Sequence, residues 1–93
     1  MERITAFDWD TANVGRILRH SVKPAEVEDA VAKPHVTIPA QTVKGERRWK
    51  LFGKTASGRY LVVVFTIRRA MLRTVTAYDM SAAERRMYGP QIE

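Results

Sequence analysis

The chain has 93 residues and no cysteine, and its sixteen Lys and Arg against ten Asp and Glu give a formal charge of +6. That length suits a single domain over residues 1–93 with one core, and the lack of cysteine excludes disulfides and thiolate metal sites. The basic surplus, with a pI near 10.2, attracts polyanions: nucleic acid first, an acidic protein or a membrane surface second.

The amino-terminal residues alternate charge with apolar character in a way no signal peptide does. The longest apolar run, Leu61 to Phe65, is far short of the roughly 20 residues a membrane helix needs. A cytoplasmic protein without membrane association is expected.

Ile4 to Trp9 has the composition of a short strand, and Asp10 is a good helix N-cap. From Thr11 to about Ser21, Val14, Ile17, Leu18 and Val22 recur at helical spacing, with Arg16, Arg19 and His20 around the polar side. Pro24 suits the first position of a second short helix, which carries Val27, Ala30 and Val31 as its stripe and is stopped by Pro34. His35 to Pro39 reads as an edge strand, and Ala40 to Gly45 as a loop.

Glu46 to Lys54 interleaves basic and aromatic residues as a strand, then turns into Gly58 to Arg68 and, after Arg69-Ala70, Met71 to Asp79. These last two runs, rich in Val, Ile, Thr, Phe and Tyr, predict a hairpin at the centre of the fold. Setting Ile67 opposite Leu72 places Thr66 opposite Arg73 and Phe65 opposite Thr74. Leu61, Val63, Phe65, Ile67 and Leu72 then form a core face, while Thr66, Arg68 and Arg73 join Val62 and Val64 on a working face. If Lys54 faces Arg59, Arg47 lies across from Thr66. Ser81 and Glu84 match a capping box opening a helix from Ala82 to about Tyr88, with Gly89-Pro90 as its end. The predicted class is α+β, an antiparallel sheet of about four strands with helices on one face.

Several pieces in this order resemble the BrnT family of toxins from bacterial type II toxin–antitoxin systems. They are Phe7-Asp8-Trp9-Asp10 before a helix ending Leu18-Arg19-His20, then Gly45-Glu46-Arg47-Arg48-Trp49, and Phe52-Gly53-Lys54-Thr55. Gly58 to Thr66, Arg73-Thr74-Val75-Thr76-Ala77 and Met80 to Tyr88 complete the set. The resemblance implies a RelE-like fold: a twisted antiparallel sheet, two amino-terminal helices on one face and a short helix at the C-terminal end. It also implies a ribonuclease that inhibits translation, is neutralised by a BrnA-like antitoxin, and reaches operator DNA only in complex with that antitoxin. Three positions depart from the family: Ser21 where Gly is usual, Lys23 where a small or hydroxylated residue is usual, and Tyr78 where many members carry Arg.

RNA can be cut without a metal when its own 2′-hydroxyl attacks the neighbouring phosphate, provided the protein positions the chain, stabilises charge and moves protons. Arg68 and Arg73 are expected to stabilise the phosphate, being permanently charged and able to donate paired hydrogen bonds. Arg47 is expected to bind RNA beside them. The blander reading of these arginines is that they keep a sheet face wet. Glu46 and His20 are the proton carriers to weigh; His20 in a last helical turn could instead serve only the helix dipole. Trp49 between basic residues, and Arg85 and Tyr88 on the last helix, are further RNA-binding candidates. Trp9 and Tyr60 are expected to pack. Two well-separated histidines predict no metal site, and scattered glycines no cofactor loop.

The leading reading is a metal-independent endoribonuclease toxin with RNA and an antitoxin as partners. The Tyr78 departure keeps open a catalytically weak or silent binding module that acts with an antitoxin on its operon. An unrelated basic protein with an acidic partner is the third reading.

Overall fold

The structure, a computed structural model, describes residues 6–93. Ile4 and Thr5 of the expected first strand lie outside the described residues; within them, Phe7 makes one parallel bridge to Leu72 in place of a strand. Helices α1 (Thr11–Leu18) and α2 (Pro24–Ala32) are followed by β1 (His35–Pro39), β2 (Trp49–Lys54), β3 (Tyr60–Arg68) and β4 (Met71–Asp79), then α3 (Ala82–Ile92). The strands form one antiparallel sheet in the order β1-β2-β3-β4. The class is α+β, as expected. Among the described residues no helix is long and apolar enough to cross a membrane.

Local chemistry explains each boundary. The Asp10 carboxylate accepts from the Asn13 N–H, and the Asn13 side chain accepts from the Asp10 N–H, so α1 starts with a reciprocal cap. Asn13 is wholly buried, its amide also donating to the Asp8 carbonyl. The helix closes earlier than its spacing suggests: the Val22 N–H returns to the Ile17 carbonyl and Ser21 turns left-handed at φ 57°. Arg69 and Ala70 both take positive φ in the β3–β4 turn, the pairing that matches strand twist.

Hairpin register at the turn is the one expected, with Ile67 opposite Leu72, Thr66 opposite Arg73 and Phe65 opposite Thr74. Beyond it an extra residue enters β4, and Val64 pairs with Thr76. This bulge at Val75 resets the alternation. Unbroken pairing would set Leu61 opposite Tyr78; the bulge sets it opposite Asp79, turns Ala77 into the core and carries Tyr78 to the other face.

The core unites Leu51, Leu61, Val63, Phe65, Leu72 and Ala77 with Ile17 of α1, Val27 of α2 and Val22 from the turn between them. Ile67, at the strand end, is 37% exposed and falls outside it. Gly53 is where α2 comes closest: a Cβ there would stand 3.2 Å from the Ala30 carbonyl oxygen. Two further expectations need correction. Lys54 faces Tyr60, not Arg59, which shifts β2 by one residue relative to β3, so that Arg48 and not Arg47 comes level with Thr66. The last helix does not end at Tyr88 but runs through Gly89 and Pro90 to Ile92, because Gly89 seats on Tyr60 and Ile92 is buried. This helix lies on the opposite face from α1 and α2, with Tyr88 stacked on Phe52 at 3.8 Å between ring centroids.

Candidate nucleic-acid interface

With α1 and α2 filling one face and α3 crossing part of the other, the second face keeps an open floor. Parity assigns Lys50, Val64, Thr66, Arg68, Arg73, Thr76 and Tyr78 to it. Arg48 precedes β2 and, with Lys50, Val64 and Gln41, lines a groove of about 440 Å³. A smaller groove of about 240 Å³ shares Ile38 and Lys50 and continues to Glu84, Met87 and Tyr88 of α3. The two form one trough bordered by the 40–46 loop on one side and α3 on another.

At the turn end of this floor Glu46 is held between two arginines. Arg48 donates from Nε to its Oε1 at 3.0 Å, and Arg68 Nη2 lies 3.5 Å from its Oε2. Both carboxylate oxygens are thereby engaged, and Glu46 fixes the two guanidinium groups in place. Arg68 is exposed on its outer side, so it retains donors for a phosphate. Thr66 is buried, its hydroxyl spent on the Arg47 carbonyl at 2.7 Å.

Arg73 is more constrained. Its Nη2 donates toward Asp10 Oδ2 at 2.8 Å and its Nη1 lies 3.4 Å from Asp8 Oδ2, leaving the side chain 16% exposed. The hydrogen bond from the Asn13 N–H, with the Arg73 guanidinium, holds the Asp10 carboxyl below its ordinary range. Arg73 therefore anchors the segment before α1 to β4.

Trp49 lies opposite Phe65 on the helix-bearing face, its ring stacked on Phe65 at 5.8 Å, and the Arg47 guanidinium sits 5.3 Å from its centroid. Tyr88 is half-buried against Phe52. Arg85 lies over Tyr60 at 4.1 Å beside a separate groove with Arg86 and Pro90. Trp9 and Tyr60 pack as expected, Trp9 also donating to Glu28 at 2.8 Å.

His20 is not near Glu46. It follows α1 at the far end of β4, where its ring meets that of Tyr78 edge-on at 6.0 Å. Glu46 belongs with Arg68 at the turn end of the strand, so the expected proton carriers occupy opposite ends of the face. Arg16, one turn before His20, donates from Nη1 to the carbonyl of bulged Val75 at 3.0 Å. Burial, and then the Glu84 carboxylate, pushes the Tyr78 phenol above its ordinary value.

Sequence reasoning missed three residues here. Arg48 and Lys50 belong on the open floor, and their signal was the same basic run that pointed to Arg47. Arg16 was visible only as one of several charges on a helix.

Among the described residues no group of three His, Cys, Asp or Glu side chains gathers as a cation site. The family model for the ribonuclease toxin BrnT of type II toxin–antitoxin systems matches residues 9–84. No individual curated protein matches the chain.

Proposed function

The chain belongs to the BrnT family of type II toxin–antitoxin ribonuclease toxins, and on that premise we propose a metal-independent endoribonuclease that acts in the cytoplasm and inhibits translation by cutting RNA. A BrnA-like antitoxin neutralises it, and the pair reaches operator DNA together. The observation that carries this reading is the open floor with Arg48, Lys50 and Arg68 converging on it, Glu46 ordering two of them. A trough of that charge suits a single strand whose phosphates lie on the arginines. The reaction requires no group beyond the substrate: the 2′-hydroxyl attacks, and the protein stabilises the phosphate charge and relays protons.

The test is antitoxin-free chain incubated with single-stranded RNA in the presence of a chelator. Cleavage that falls at least about tenfold on combining Arg48→Ala with Arg68→Ala supports the reading. Undiminished cleavage by the double variant, or none by the parent chain, sinks it. A silent binding module remains the second reading, because Arg73, Thr66 and Tyr88 already have partners within the fold. Operator binding with antitoxin, but no RNA cleavage at high protein concentration, is the outcome that favours it.

A further inference from the structure

Three residues meet at the bulge in β4: Arg16 in the last turn of α1, His20 just past its end, and Tyr78 on β4. Arg16 and His20 are both exposed, and each reaches the bulged stretch of β4, Arg16 at the Val75 carbonyl and His20 at the Tyr78 ring. Resting on the ribonuclease reading above, we propose that RNA is cut at this edge of the sheet, with His20 accepting the 2′-hydroxyl proton and the Tyr78 hydroxyl protonating the leaving oxygen. Arg16 is the positioning residue, since its hydrogen bond to the Val75 carbonyl holds the bulge that turns Tyr78 outward.

Glu46 is a poorer proton acceptor, because both of its oxygens already serve arginines. Tyr78 is suited to donate: its phenol is kept protonated by burial and by Glu84. In the step itself the O2′ lone pair forms a bond to phosphorus as the P–O5′ bond breaks. The O2′ proton passes to the His20 imidazole and the Tyr78 proton to O5′. The products are a 2′,3′-cyclic phosphate and a 5′-hydroxyl, and return of the proton from imidazolium to phenolate restores the enzyme. The trough with Arg48 and Lys50, and Arg68 beside it on Glu46, then holds the strand beyond the cut.

The experiment compares the parent chain with Tyr78→Phe on two RNA oligonucleotides, one ordinary and one carrying a bridging 5′-sulfur at the cleavage site. Sulfur leaves without needing a proton. Tyr78→Phe keeps the ring and its contact with His20, and its melting temperature checks the fold. The expected result is a loss in kcat of about 100-fold or more on ordinary RNA with KM unchanged, and near-parental cleavage of the sulfur substrate. Parental activity of Tyr78→Phe on ordinary RNA overturns the assignment, as does an equal loss on both substrates. A parent chain that cuts neither overturns the ribonuclease reading as well, so the two failures are distinct. Arg16→Ala is expected to lower kcat on ordinary RNA and to recover on the sulfur substrate; loss of binding alone would count against its positioning role.

Discussion

Arg73 reaches from β4 to the carboxylate of Asp10 at 2.8 Å, the same carboxylate that caps α1. One acidic side chain therefore starts a helix and ties it to the sheet. The two functions separate by substitution, because asparagine caps a helix as well as aspartate but carries no charge. Asp10→Asn is expected to lower the melting temperature slightly and Asp10→Ala by several degrees more. Equal melting temperatures for the two variants would show that the cap contributes nothing.

Arg59 connects three elements at once. It donates to Asp79 at 2.7 Å, to Glu26 at 3.1 Å, and to the carbonyls of Ser21 at 2.7 Å and His20 at 3.1 Å, so the junction of α1 and α2 is fastened to the end of the sheet. Its planar fork makes these bonds simultaneously, which an ammonium group cannot do. Arg59→Ala should destabilise the fold by about 2 kcal/mol, and Arg59→Lys by more than half of that, as read from urea midpoints. A lysine variant as stable as the parent would show that charge alone suffices.

Acid should unfold the protein through the same contacts. Hydrogen bonding from Arg59 holds Asp79 below the ordinary carboxyl value, and the Ala56 N–H and Lys33 do the same for Asp29. A carboxyl that ionises more readily when folded stabilises the fold above its unfolded pKa, near pH 4, and that stability is lost as pH falls through the lower folded value. Urea midpoints should hold steady from neutrality to about pH 5 and then fall towards about pH 2. The fall should be shallower in Asp79→Asn; identical slopes would remove Asp79 from the account.

Ser21 pays for the turn after α1. At φ 57° it occupies a region that costs a residue with a Cβ about 1 kcal/mol, and glycine occupies it freely. Ser21→Gly should raise stability by up to about 1 kcal/mol in denaturant melts. An unchanged or lowered midpoint would mean that the Ser21 side chain compensates for its backbone.

The phosphate contacts have their own signature. If Arg48 and Arg68 each neutralise one RNA phosphate, replacing either by Ala should reduce the slope of log affinity against log salt by about 0.7. Binding measured with an uncleavable 2′-deoxy substrate isolates this from catalysis. Slopes unchanged in both variants would move the strand off this trough.

The identities of the helices, the N-cap at Asp10 and the capping box at Ser81, the edge strand ending at Pro39, and the hairpin register next to Arg69-Ala70 were all legible in the chain. Each rests on interactions between residues close in sequence or on a simple alternation. Of the hairpin that looked like the centre of the fold, β3 is an inner strand of the sheet and β4 ends its order. Its core face was assigned correctly at Leu61, Val63, Phe65 and Leu72, and its other face carries Arg68 and Arg73.

Three things belonged to tertiary structure alone. Whether α3 stops at Gly89 depends on Tyr60, almost thirty residues earlier, which gives the glycine a surface to pack on. Whether Arg73 is free depends on Asp8 and Asp10, which only the folded chain sets beside it. The face on which Tyr78 stands depends on one extra residue at Val75, and strict alternation cannot reveal a bulge. Local pattern determined the elements and which hairpin residues share a face near the turn, because side-chain periodicity is a property of short segments. Packing decided which charges on that face are already spent and which remain for a partner, because a guanidinium finds its carboxylate through space.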